Sequence, residues 1–181
     1  PIEMLRDGDV YVADGYGKIE GGTLIGDRLA NSIYSKSKRG VVFWGSVRNI
    51  QEIKKVEGFN GWILGDNPSS ITEMMLTSIN APIRIGNTTV LPGDVVFVSP
   101  YGTLFFPAYL VGEIVLSAEI SNLRHVYGIM RNKAGDWTTG QIDSQYTPQM
   151  TQEFHDYLRK LPDAKLPMPR KELNEYLEKN K

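Results

Sequence analysis

Residues 26–49 read GDRLANSIYSKSKRGVVFWGSVRN, a helix pattern that passes directly into an apolar strand. Leu29, Ala30, Ile33 and Tyr34 recur at the three- and four-residue spacing of one helix face. This spacing predicts a helix that starts near Asp27, ends in the basic KSKR of residues 36–39 and stops at Gly40. The run VVFW at 41–44 is continuously apolar, as in a strand covered on both faces. Ahead of the helix, GDVYVAD at 8–14 predicts a first strand. Strand, helix and strand in that order imply a right-handed parallel crossover, and hence a layered α/β domain. The stretch ends on Val47-Arg48-Asn49, which sets an arginine just past a buried strand.

The neighbouring segments extend this pattern. Residues 15–26 hold five glycines in twelve positions and read as a loop that lets backbone approach something closely. IQEIKKV at 50–56 reads as a short helix and GWIL at 61–64 as a third strand, closed by Gly65-Asp66. SSITEMMLTSI at 69–79 predicts a further helix capped by Ser69 or Ser70. Residues 81–107 alternate short β runs with Gly-Asn, Pro-Gly-Asp and Tyr-Gly turns, which predicts antiparallel or mixed strands. Pro107 opens a long helix through about Arg124 or beyond. An α/β domain over 1–124 and a C-terminal extension of one or two helices over 125–181 follow. Within the extension, Thr147 caps a helix with Pro148 at its first position, and Met150, Phe154, Tyr157, Leu158 and Leu161 share a stripe. A proline-rich linker, 162–170, leads to a short charged helix expected to fray.

Bulk properties narrow the function classes. The 181 residues carry a formal net charge of −1, with no global pull toward nucleic acid or an anionic membrane. The basic KSKR is accounted for as a helix C-terminus, so no nucleic-acid partner is expected. No run of about 18 apolar residues predicts a membrane span, and no leader pattern is visible, so a cytoplasmic protein is expected. The absence of cysteine rules out disulfides, a thiolate nucleophile and thiolate-bound zinc. The two histidines, His125 and His155, have no ligand spacing, and His155 reads as a solvated helix residue. Ser46 lacks the setting of a hydrolase nucleophile.

In a parallel crossover, the start of the helix and the segment after the next strand reach the same sheet edge, where ligands of open α/β sheets bind. Gly26, Asp27, Arg28 and Leu29 bring unpaired backbone N–H groups and the positive end of the helix dipole to that edge. Arg48 brings a planar fork matched to a carboxylate. The plainer alternative is an N-terminal helix acid, Asp27, paired structurally with Arg48.

These residues, with VYVADGYG at 10–17, RGVVFWGSVRN at 39–49 and the block INAPIRIGNTTVLPGDVVFVSPYGTLFFP at 79–107, resemble the RraA-like family. That family includes the regulator of ribonuclease activity A and class II pyruvate aldolases acting on 4-hydroxy-4-methyl-2-oxoglutarate. The resemblance covers residues 5–120 and implies a β/β/α swivelling-type fold with the helical extension appended. The aldolase signature is Asp, twenty residues, Arg, Asp. Twenty residues separate Asp27 from Arg48, so both match, and Asn49 stands where the final acid holds a divalent metal. The resemblance implies that Arg48 binds a pyruvate-type carboxylate with help from the backbone of residues 26–29. It also implies that Asp27 positions a water and that Mg²⁺ or Mn²⁺ is ligated at Asn49 and Asp27. Hard cations favour anionic oxygen, so Asn49 is expected to weaken that metal. Asp14 and Asp66 could each donate a replacement carboxylate or be ordinary turn residues. Trp44, next to the signature, either narrows the pocket or fills the sheet.

The resemblance further implies a trimer or hexamer and a helical segment ahead of the matched region. The chain begins at Pro1, so absence of that segment from this sequence is an expectation. Two functions follow. One is a metal-assisted aldolase or lyase cleaving a carbon–carbon bond of a pyruvate-derived keto acid. The other is a non-catalytic oligomeric binding or regulatory protein.

Overall fold

Three passes of the chain build two small parallel sheets in turn. The computed structural model describes residues 1–72 and 74–179. The first pass supplies β1 (Tyr11–Asp14) and then β2 (Thr23–Ile25); the second supplies β3 (Val41–Trp44) and β4 (Ser46–Val47). The third supplies β5 (Gly61–Trp62) and β6 (Gly65–Asp66). One sheet runs β1-β3-β5 and the other β2-β4-β6, all pairs parallel. Gly45 joins β3 to β4 and lies against Gly15. A Cβ on Gly15 would stand 3.2 Å from the Gly45 Cα, so the hand-over between sheets depends on bare backbone there.

α1 (Asp27–Ser37) carries the chain from β2 back to β3, as the crossover requires. It buries Ala30, Ile33 and Ser37, while Leu29, expected on the covered face, is exposed. Its stop is Lys38 in the left-handed region, whose N–H returns to the Tyr34 carbonyl; Gly40 is not needed for the cap. Ile25, Ile33, Val41, Phe43, Val47 and Ile53 form the core between helix and sheets. Each such side chain contributes about 1.5–3 kcal/mol of burial free energy.

The following helix, α2 (Ile50–Ile53), is a single turn, shorter than the sequence pattern suggests. The helix expected over 69–79 is not formed by the described residues of that segment; Glu73 lies outside them. The expected cap is engaged elsewhere. Ser69 Oγ accepts from the Gly21 N–H at 2.7 Å, and its carbonyl accepts from Thr23 Oγ1 at 2.6 Å. Two antiparallel hairpins follow as predicted: β7 (Ile83–Ile85) with β8 (Thr88–Val90), and β9 (Val95–Ser99) with β10 (Gly102–Phe106). The second hairpin exposes Phe97, Tyr101 and Leu104.

The chain divides into two compact units between Ala108 and Tyr109. The boundary expected at residue 124 falls inside a continuous helix, α3 (Val111–Lys133), because its pattern runs on to Tyr127, which is buried in the second unit. That unit adds α4 (Thr139–Asp143), α5 (Pro148–Lys160) and α6 (Arg170–Lys179). Thr147 caps α5 by accepting from the Met150 N–H at 3.3 Å, with Pro148 in the first turn. Tyr127, Trp137, Met150, Phe154, Leu158 and Leu173 make the core, joined by Leu177. His155, read from sequence as solvated, is only 6% exposed beside Phe154. α6 is anchored by Leu173 and Leu177, both fully buried, although its sequence is mostly charged.

Candidate functional site

The sequence-predicted residues converge on the C-terminal edge of the second sheet, β2-β4-β6. Gly26 and Asp27 follow β2, Arg48 and Asn49 follow β4, and Asp66 ends β6. β4 is central, so its exit lies between the other two. The Arg48 N–H closes onto the Ile25 carbonyl at 2.9 Å, and the Asn67 N–H onto the Val47 carbonyl at 3.0 Å. These bonds fix the three strand exits side by side. The edge belongs to strands of two or three residues, not to the longer apolar strands from which the sequence locates it.

Arg48 lies across the start of α1. A Cβ on Gly26 would approach its Nε at 3.1 Å and its Cγ at 3.2 Å, so glycine here leaves room for the side chain. Gly26 is the N-cap and supplies no side-chain cap, which leaves the first turn of the helix without that acceptor. The guanidinium donates from Nη1 to Ser70 Oγ at 3.1 Å. Its fork therefore carries further donors suited to a carboxylate. Ser70 enters through the strap at 67–72, tied down by Ser69 and by the Thr72 N–H on the Gly21 carbonyl. Nothing in the local sequence marks Ser70 as the residue that meets Arg48.

The structural ion pair between Asp27 and Arg48 is not formed. Asp27 instead accepts from Asn49 Nδ2 at 2.7 Å. That amide holds the Asp27 carboxyl below its usual range, aided by the backbone N–H groups of Asp27 and Arg28 and by the Arg28 charge. Part of the helix-start donor set therefore serves Asp27 itself. Asn49 can reach across because its backbone is left-handed, with φ 58°, at the N-cap of α2. Arg28 and Leu29 are exposed beside this pair.

The residues present do not fit a divalent ion. One carboxylate and one amide meet, so the pair offers a hard divalent cation a single negative charge. No group of three or more His, Cys, Asp or Glu able to hold a metal occurs among the described residues. Asp14 is an ordinary turn residue that accepts from the Tyr16 N–H at 2.8 Å. Asp66 is exposed on β6, in register with Val47. Trp44 fills the sheet system: Cβ atoms on Gly17 and Gly86 would touch its indole at 3.3 and 3.6 Å.

Comparisons with known proteins identify the family of the first unit. The family model for RraA-like proteins, described as Aldolase/RraA, matches residues 1–104. A protein of Hahella chejuensis named "Putative 4-hydroxy-4-methyl-2-oxoglutarate aldolase" is 28% identical over 106 residues, 59% of this chain and 63% of that protein. The chain thus spans less than two thirds of that relative's length. Among solved structures, the RNA-processing inhibitor RraA of Thermus thermophilis superposes with a TM-score of 0.54 at 27% identity, covering 59% of this chain and 63% of that one. Streptomyces coelicolor RraAS2, titled an unusual member of the RNase ES inhibitor RraA family, gives 0.65 at 27% identity over 72% and 66% of the two chains.

Proposed function

Because the chain belongs to the RraA-like family, we propose that its α/β unit binds the carboxylate of a small keto acid at Arg48 without a divalent metal. It would then act as a binding or regulatory member of an aldolase lineage. The observation that carries this reading is the Asn49–Asp27 hydrogen bond, which satisfies with an amide the carboxylate that a metal site would need. Arg48 supplies the charge and fork for the ligand, Gly26 the room, and Leu29 an exposed first-turn residue beside it. Assembly into a homo-oligomer belongs to the same proposal, supported by the apolar side chains Phe97, Tyr101 and Leu104 that the β9-β10 hairpin exposes.

A second reading, a metal-assisted carbon–carbon lyase, is favoured by one observation: Asp27 and Arg48 stand at neighbouring strand exits with the aldolase spacing. It would need a carboxylate from outside the described residues of one chain.

Calorimetry of pyruvate and oxalate on the full chain separates the two. The proposal expects binding in the presence of a chelator and its loss in Arg48→Ala. Binding that appears only with Mg²⁺ or Mn²⁺ overturns it in favour of the lyase. No binding under either condition also overturns it.

A further inference from the structure

Arg48 has a neighbour whose hydrogen-bonding capacity is only partly used. Ser70 Oγ accepts from Arg48 Nη1 at 3.1 Å and makes no second hydrogen bond among the described residues. A hydroxyl carries one proton beside its lone pairs, so accepting from Arg48 leaves the Ser70 O–H free to donate. Ser70 is exposed, and that proton is open to a ligand.

The hydroxyl is also held in place. Ser69 accepts from the Gly21 N–H through Oγ at 2.7 Å and from Thr23 Oγ1 through its carbonyl at 2.6 Å, and its own N–H donates to Asn67 Oδ1 at 2.9 Å. On the other side, the Thr72 N–H returns to the Gly21 carbonyl at 3.1 Å. The strap is thus bonded before and after Ser70, and a donor fixed in advance loses less freedom when a ligand arrives. The other side chains of this edge are committed or repel an anion. Asp27 and Asn49 meet each other, and Asp66 is a carboxylate.

The spacing suits one ligand class. The two N–H bonds of a planar guanidinium nitrogen diverge by about 120°. With Ser70 Oγ at 3.1 Å on one of them and a carboxylate oxygen at about 2.9 Å on the other, the two oxygens stand about 5 Å apart. An oxygen on C2 of the ligand bridges that gap. In a planar 2-oxo acid it lies about 2.7 Å from the nearer carboxylate oxygen, and it accepts from a hydroxyl at about 2.7 Å. An acid without an oxygen on C2 leaves the Ser70 proton unmatched.

We propose, on the basis that Arg48 binds the ligand carboxylate, that Ser70 is the residue that selects 2-oxo acids. Its O–H donates to the oxo oxygen while its lone pair stays on Arg48. The oxo oxygen only accepts, which matches the single proton that Ser70 offers.

Calorimetry of pyruvate and propionate on the full chain, with a chelator present, tests this. The two acids have the same carbon skeleton and differ in the C2 oxygen. The unaltered chain should bind pyruvate about tenfold more tightly, the worth of one added hydrogen bond. Ser70→Ala should bring the two acids to one Kd, and Ser70→Thr, which keeps the hydroxyl, should retain the preference. Equal affinities in the unaltered chain, or a preference that survives Ser70→Ala, would overturn the role of Ser70 and leave carboxylate binding at Arg48 standing. Equal weakening of both acids in Ser70→Ala would make Ser70 a brace for the guanidinium, and overturns it as well. Binding of neither acid by the unaltered chain would overturn the Arg48 reading and this proposal together.

Discussion

Asn49 links the chemistry of the site to its backbone. Its left-handed conformation suits asparagine, aspartate or glycine better than other residues. Asn49→Gly therefore removes the amide without straining the turn. The Asp27 pKa, now lowered first of all by that amide, should rise toward the usual carboxylate range, as read by NMR titration. The sign of the pH dependence follows. A depressed folded-state pKa stabilises the fold above the unfolded value of about 3.9, and that contribution is lost as pH falls through the folded value. Asn49→Gly should weaken this acid-range dependence. An unchanged Asp27 pKa would show that the 2.7 Å contact does not persist in solution. Asn49→Asp places two carboxylates side by side, so one should titrate above its usual range and Mn²⁺ binding should emerge in calorimetry. The Asp27–Arg48 spacing was legible in the sequence because a parallel crossover brings a helix start and a strand exit to one edge. The Asn49 amide contact and the Ser70 contact were not, because each depends on where side chains turn after very short strands.

Among the elements, legibility depended on length and on where polar groups find partners. β2, β4 and β6 hold two or three residues each, too few for any period to show, yet they position the site. The 69–79 segment has a capping serine and helical spacing, but Ser69 is spent on Gly21 and Thr23. α5 was legible because its cap, its proline and its stripe agree. Thr147→Ala should lower the stability of the second unit by about 1 kcal/mol in urea denaturation. α6 is the opposite case, a charged sequence whose two leucines are fully buried. Leu173→Ala should cost about 2–5 kcal/mol by the same measurement, whereas a fraying helix would lose almost nothing. Arg170 holds the approach to α6 by donating to the Arg159 and Leu161 carbonyls and pairing with Asp163. The proline-rich 162–170 segment is thus pinned to the end of α5.

At the scale of the whole molecule, the chain carries two cores that share no buried residue, one around Phe43 and one around Phe154. The family match ends at residue 104, close to the division at Ala108, so the site and the helical unit are built from separate stretches of sequence. Mutations in separate cores with no shared partner should add, and each should act on its own transition. The tryptophans allow this to be read. Trp44 and Trp62 belong to the first unit, and Trp137 is buried in the second. In a Trp44→Phe, Trp62→Phe background, fluorescence reports the second unit alone. Phe43→Ala, which should cost the first core about 3–5 kcal/mol, should leave that Trp137 transition in place. Leu173→Ala should move it to lower urea. If Phe43→Ala shifts the Trp137 transition as far as Leu173→Ala does, the two units unfold together. The energetic independence argued from their separate cores would then be wrong, even though the cores remain distinct in structure.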